Sequence, residues 1–261
     1  DPRWNSSVVI NSGGQLGTYY DGSSGSSILM SAANTITGTG EIYFEEISTV
    51  YYRNNSDQTL SVDVTADSGF TQGGLELLGT GTVTYDGTVT AIIRVKNGTL
   101  KPGSNFDATG GTISISPNNN TIGNTNPVFD IDGETVTVET INIEAQSGTG
   151  QPSIIDSNAT AGSLSFTTLT DEAADDTTSK TIISAVLSGS GTIAPRGSST
   201  YSTNITSAST GFTGGFSFDK ANSNLEITGT GSVGSEIIDM YDQGLDSILT
   251  IDAGALAHSS P

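Results

Sequence analysis

The sequence predicts an all-β chain coiled into a solenoid. Three observations point there: a composition suited to short strands and tight turns, period-2 alternation of apolar residues, and a glycine-bounded phrase that recurs at a coarse step. Only 33% of the 261 residues are apolar. That is poor material for a thick globular core, but it suits many half-buried strands joined by Gly-, Ser-, Thr- and Asn-rich turns. The alternation marks the strands. Glu41-Ile42-Tyr43-Phe44, Thr82-Val83-Thr84-Tyr85, Thr112-Ile113-Ser114-Ile115, Thr135-Val136-Thr137-Val138, Ile141-Asn142-Ile143, Leu164-Ser165-Phe166 and Leu225-Glu226-Ile227 all alternate. Each puts Val, Ile, Leu or Phe on one face and Thr, Ser, Asn or Glu on the other. Low hydrophobicity with high net charge would otherwise suggest disorder, and a disordered chain has no need of such alternation. The best helical candidate, Glu236-Ile237-Ile238-Asp239-Met240-Tyr241, is short.

The phrase GFTGGFSFDKANSNLEITGTGSV, from Gly211 to Val233, echoes GFTQGGLELLGTGTV, from Gly69 to Val83. Similar glycine groups open at Gly38, Gly79, Gly110, Gly148, Gly189 and Gly229, in steps of 41, 31, 38, 41 and 40 residues. A step near 40 corresponds to two stacked coils of about 20 residues each. In a solenoid each coil buries the apolar face of its neighbour. A β-sandwich or jelly roll is the alternative, because it too uses short strands with turn signals. It does not require units of similar sequence. The expectation is one elongated domain over residues 1–261, with 253–261 as a flexible or capping tail.

The strings Leu187-Ser188-Gly189-Ser190-Gly191-Thr192-Ile193 and Gly211-Phe212-Thr213-Gly214-Gly215, followed by Leu225-Glu226-Ile227, resemble the repeats of bacterial autotransporter passenger domains. Ser199-Thr200-Tyr201-Ser202 and Asn97-Gly98-Thr99-Leu100 are in the same style. The resemblance covers about half of the chain and departs from the family in its degenerate repeats, its acidity and the lack of a following membrane barrel. It implies a right-handed parallel β-helix presented outside a prokaryotic cell.

Charge narrows the partners. With 28 acidic against 8 basic side chains and a net charge of −20, the chain has no basic footprint for nucleic acid and no attraction to anionic membranes. It contains no cysteine, so neither a disulfide framework nor a thiolate metal site is available. No apolar run approaches the roughly 18 residues of a membrane span. The first residue is Asp1 rather than Met, as in a processed form.

Catalytic signals are sparse. The single histidine, His258, lies in the Ser/Pro end of the chain, which leaves no Ser-His-Asp arrangement in view. Asp175-Asp176 and Arg94-Val95-Lys96 superficially resemble the D-D and R-I-K motifs of polygalacturonases. Their order is reversed, and the G-H-G and N-T-D motifs are missing. The expectation is a non-enzymatic protein without a cofactor, with a carbohydrate-active β-helix enzyme or glycan-binding module as the alternative. Asp171, Glu172, Asp175 and Asp176 read as a solvated acidic loop, and Arg94 and Lys96 as outward residues of a strand.

Ca²⁺ is the one ion the acidic motifs suggest, since hard carboxylate oxygens at close spacing suit it. Asp130, Asp132 and Glu134 form the first candidate group, although a solvated hairpin explains them more simply. Asp171, Asp175 and Asp176 form a weaker one. Six sequons, at Asn5, Asn54, Asn97, Asn119, Asn158 and Asn204, are possible glycosylation sites. Of the aromatic pairs Tyr19-Tyr20, Tyr43-Phe44 and Tyr51-Tyr52, half of each is expected to pack the core. The function expected is therefore an extracellular, cell-surface structural or adhesive protein. It would present a rigid β surface, or associate with itself into a filament or surface layer, or bind cell-surface or glycan partners.

Overall fold

The computed structural model describes residues 3–4, 6–18, 27–30, 34–45, 48–53, 55–67, 73–117, 126–145, 150–173, 180–196, 201–218, 223–228, 232–233, 237–239 and 248–251. Among them every regular element is a β-strand, and the strands pair in parallel. The chain is a β-solenoid. Parallel neighbours need a long connection between them. Here the other faces of each coil supply it, so the chain returns to the same face one rung further on.

The long sheet has eleven strands, from Arg3–Trp4 to Ile237–Asp239. A second sheet has nine, from Gln58–Leu60 to Ile248–Ile251. A third face is built of shorter pieces. It begins with Gln15–Thr18, Glu41–Phe44 and Asp63–Ala66 and continues through single bridges such as Val64 to Val89 and Leu164 to Leu187. Two strands, Thr135–Ala145 and Ser163–Ala173, run from the third face into the long sheet and pair along most of their length.

The core is a set of stacked rows. At one inward position of the long sheet Val50, Leu75, Ile93, Ile113, Ile141, Leu169, Ile193 and Phe216 follow one another in register. All are buried. Facing them, Leu100, Phe129, Ile154, Ile183, Ile205 and Ile227 form a buried row of the second sheet. Burying each such side chain contributes about 1.5–3 kcal/mol, and the parallel register makes each one the neighbour of its counterpart. The expected alternating segments all fall within strands of these faces. Phe44 and Tyr52 pack the core while Tyr43 and Tyr51 stay half-exposed, as their pairing in the sequence suggests. Tyr19-Tyr20 lies outside the described residues.

The coils are uneven in length. Successive rungs of the long sheet are separated by as few as 18 residues, Gly74 to Ile92, and as many as 30, Ala108 to Val138. The recurring glycines do not mark one corner. Gly38–Gly40 links two faces after Ile36–Gly38, whereas Gly110-Gly111 lies inside the strand Ala108–Ile115. The helical candidate at Glu236 also gives way, because Ile237–Asp239 is a strand paired with Gly215–Ser217. An available sheet edge outweighs a short helical pattern. Residues 253–261, expected as a tail, lie outside the described residues, as does His258.

Close approach between coils explains the glycines better than their period does. A methyl group on Gly191 would overlap the Phe166 carbonyl oxygen, and one on Gly214 would overlap the Gly191 carbonyl oxygen. Gly110 has room, with only a Thr90 methyl at 3.8 Å. Gly191→Ala should therefore lower stability by about 2 kcal/mol or more through overpacking. Gly110→Ala should stay within about 0.5 kcal/mol. Urea denaturation of the two variants beside the parent chain checks the contrast, and equal midpoints for the two would contradict it.

Candidate functional site

Three places gather chemistry-bearing side chains: a corner held by Lys101, a buried carboxyl, and a groove on the second sheet. At the corner, Asp130 ends the strand Val128–Asp130, and the chain turns through Asp132 and Gly133, both at positive φ (49° and 80°). Asp and Gly are the residues that tolerate this conformation. The turn is not a hairpin, because the strand after it, Thr135–Ala145, belongs to a different face.

The carboxylates of this turn face a cation of the chain itself. Lys101 Nζ lies 3.2 Å from Asp130 Oδ2 and 3.3 Å from Asp132 Oδ1. The backbone N–H groups of Asp132 and Ser157 donate to Asp130 Oδ1, at 3.1 and 2.9 Å. Burial pushes the Asp130 carboxyl up, but the bonds from Ser157, Asp132 and Lys101 outweigh it and hold the group below the usual range. Burial pulls the Lys101 ammonium down, and its two carboxylates hold it above its ordinary value. Glu134 is exposed and is not among these contacts. Among the described residues no three acidic or histidine side chains converge as a metal-binding group.

The same chemistry recurs along the coils. Asn55 Oδ1 accepts the Thr80 N–H at 3.1 Å, Asp57 the Thr82 N–H at 2.8 Å, Asp63 the Thr88 N–H at 2.8 Å and Asn126 the Gln151 N–H at 2.7 Å. In each case the donor stands 25 residues further on, one coil away. Asp156 reaches back to the Gly133 N–H at 2.8 Å. Acidic and amide side chains thus satisfy corner N–H groups that no strand partner reaches.

Asp171 behaves differently. It lies in the strand Ser163–Ala173 at an inward position and is fully buried, so the solvated-loop reading does not hold for it. Glu172, the next residue of that strand, is exposed. The phase explains this: Leu169 points into the core, and two residues on Asp171 must follow it. Its Oδ1 accepts from the Tyr201 hydroxyl at 2.7 Å and the Thr181 hydroxyl at 3.1 Å, and its Oδ2 from the Thr203 hydroxyl at 2.6 Å. The hydroxyls of Thr181 and Tyr201 also lie within hydrogen-bond reach of each other, so either could turn its one proton to the other instead of to Asp171. Thr181, Tyr201 and Thr203 are themselves buried. Asp175 and Asp176 lie outside the described residues.

Above this cluster, on the outer side of the second sheet, is a polar groove of about 180 Å³. Lys180, Ser202, Asn224, Glu226, Ile248 and Thr250 line it, together with Tyr201 and Leu225. Lys180 Nζ grips both Glu226 oxygens, at 2.6 and 2.9 Å, and the Ser202 hydroxyl donates to Glu226 Oε1 at 2.9 Å. No protein-family model, no curated protein and no solved structure matches this chain. The site must be read from its own chemistry. A cation, a carboxylate and hydroxyls beside Ile248 offer donors, acceptors and an apolar contact to a hydroxyl-rich ligand.

The outer surface of the long sheet carries a threonine row. Thr112, Thr140, Thr168 and Thr192 occupy one register position on successive rungs, all half-exposed. Arg94 stands in the strand Ile92–Val95, facing outward as expected, and Lys96 follows it. Of the sequons, Asn97 lies half-exposed in the turn before Thr99–Pro102, and Asn158 is exposed with its side chain bonded to Thr160 and Asp132. Asn204, in Ser202–Ile205, accepts from the Thr228 hydroxyl at 2.8 Å. Asn5, Asn54 and Asn119 lie outside the described residues.

Replacing Lys101 by Met leaves Asp130, whose side chain is only 4% exposed, without its cation. A loss of about 1–2 kcal/mol at pH 7 is expected. Because the Asp130 carboxyl is held low in the folded chain, its stabilisation is present above about pH 4 and disappears as pH falls through the folded value. Urea denaturation across a pH series should show the deficit in full at pH 7 and show it shrinking once the pH falls below about 4.

Proposed function

We propose that this chain is a non-enzymatic, extracellular structural or adhesive protein of a prokaryotic cell surface. The observation that carries the reading is the continuous parallel stack from Arg3–Trp4 to Ile237–Asp239, whose register shifts once, between Ala108 and Thr112. A core of rows rather than a central knot suits a molecule that works as a long, stiff carrier of surface. The outward rows are polar and regular, which favours display of hydroxyl and amide groups to a partner. The coiled fold accords with the passenger domains that the glycine phrases resemble. Assembly into a filament or surface layer is the form in which such a carrier builds structure, since parallel rungs can stack on like rungs.

A second reading is a glycan-binding module, and the groove at Lys180, Ser202 and Glu226 favours it. Its paired charges and hydroxyls match the alternating donors and acceptors of a sugar ring. Ca²⁺ enters either reading as an ion drawn to the acidic surface, with Asp130, Asp132 and Glu134 as the motif to watch. Lys101 would have to leave the two aspartates before an ion could take its place.

Negative-stain microscopy of the purified chain, with millimolar calcium and with chelator, separates the forms. Filaments or sheets are expected for a building block, and their loss in chelator would make assembly cation-dependent. Isolated short rods in both conditions would remove self-assembly and leave display or glycan binding. A glycan array, read with the parent chain and a Glu226→Gln variant, would then decide between those two.

A further inference from the structure

The second inward row of the long sheet runs Tyr52, Leu77, Val95, Ile115, Ile143, Asp171, Pro195. One carboxyl interrupts a column of apolar side chains. A charged group in such surroundings is costly unless it is paired. Its three donors are all hydroxyls, which satisfy lone pairs without supplying counter-charge. Charged side chains on the packed elements stand at outward positions. They are Glu172 on the same strand, Glu139, Glu144 and Arg196 on the flanking rungs, and Lys180 and Glu226 on the facing sheet. Burial pushes the Tyr201 hydroxyl well above its ordinary value, so it remains a donor and cannot neutralise its neighbour. Among the described residues, a proton is the one species left to discharge the cluster.

We infer that Asp171, with Thr181, Tyr201 and Thr203, is a proton-operated latch that ties the long sheet to the second sheet. With Asp171 protonated, the carboxyl bridges Ser163–Ala173 to the strands Lys180–Ile183 and Ser202–Ile205 at no electrostatic cost. Ionised, the same group is an uncompensated charge inside the coil, and the seam loosens beneath the groove that Tyr201 helps to line.

The direction of the pH dependence follows from the group's environment. Burial pushes the Asp171 carboxyl up to about 6, against the opposing pull of bonds from Thr203, Tyr201 and Thr181. An unfolded aspartate titrates near 3.9. The folded chain therefore holds a proton that the unfolded one has already lost. The latch contributes fully below about pH 4 and is lost as pH rises through about 6.

Amide hydrogen exchange of the whole chain tests this. After correction for intrinsic exchange, protection in Ser163–Ala173, Lys180–Ile183 and Ser202–Ile205 should fall about fiftyfold between pH 4 and pH 7, relative to Ile92–Val95 and Thr99–Pro102. Asp171→Asn keeps the shape and carries no charge, so its profile should be flat. A flat profile in the parent chain, or the parent's fall persisting in the Asn variant, overturns the latch. Should the Asn variant not fold, carbon-13 titration of the parent's labelled aspartate carboxyls gives the answer directly. One resonance with its midpoint near pH 6 supports the latch, and midpoints all below about 4.5 overturn it.

Discussion

In-register parallel stacking is the constraint on which the rest of this protein depends. Each inward side chain is packed by its own counterpart one rung before and one rung after, so the core never gathers at a centre. That is how a chain only one-third apolar can bury a continuous aliphatic column. It also explains why carbonyls of one coil press so close to glycines of the next. Where the chain turns from face to face, two backbones meet with nothing between them, and at Gly191 and Gly214 a Cβ has no place to go.

The acidic composition follows from the same constraint. A corner leaves backbone N–H groups pointing away from any strand, and something must accept them. Asp57, Asp63 and Asp156, with Asn55 and Asn126, do so across one coil. Asp130 adds Lys101 to the arrangement, tying three successive coils together. A reading of acidity as solubility or cation affinity alone misses this structural use. Asp171 is the exception that makes the pattern clear. It faces inward rather than toward a corner, and side-chain hydroxyls replace the N–H groups.

Strands were legible in the sequence because alternation is local. Thr112 to Ile115 announces its two faces without help from any neighbour. Register is not local, and that is where prediction from sequence stops. The threonine row through Thr112, Thr140, Thr168 and Thr192 is invisible along the chain because the coils differ in length. The glycine phrases suggested a regular step, yet they mark close approaches that fall at different corners. Ile237–Asp239 had a helical pattern and became a strand because the preceding rung offered an edge. Asp130 and Asp132 carried the correct chemistry for a cation, but Lys101, some thirty residues earlier, could not be placed beside them by spacing alone. Asp171 did carry a signal, the parity it shares with Leu169, which an acidic-loop reading overrode.

The rung spacing has an electrical consequence. Neighbouring strands lie about 4.8 Å apart, so the eleven rungs of the long sheet span roughly 50 Å. A net charge of −20 over that length is about one charge per 2.5 Å, within a factor of two of the linear density of double-stranded DNA. The molecule is a short polyelectrolyte rod. Such a charge attracts a diffuse atmosphere of counterions, divalent ions among them wherever they are present, with no coordination site required. Its stiffness, its approach to like rods and its response to salt are then governed by that atmosphere as much as by any single carboxylate.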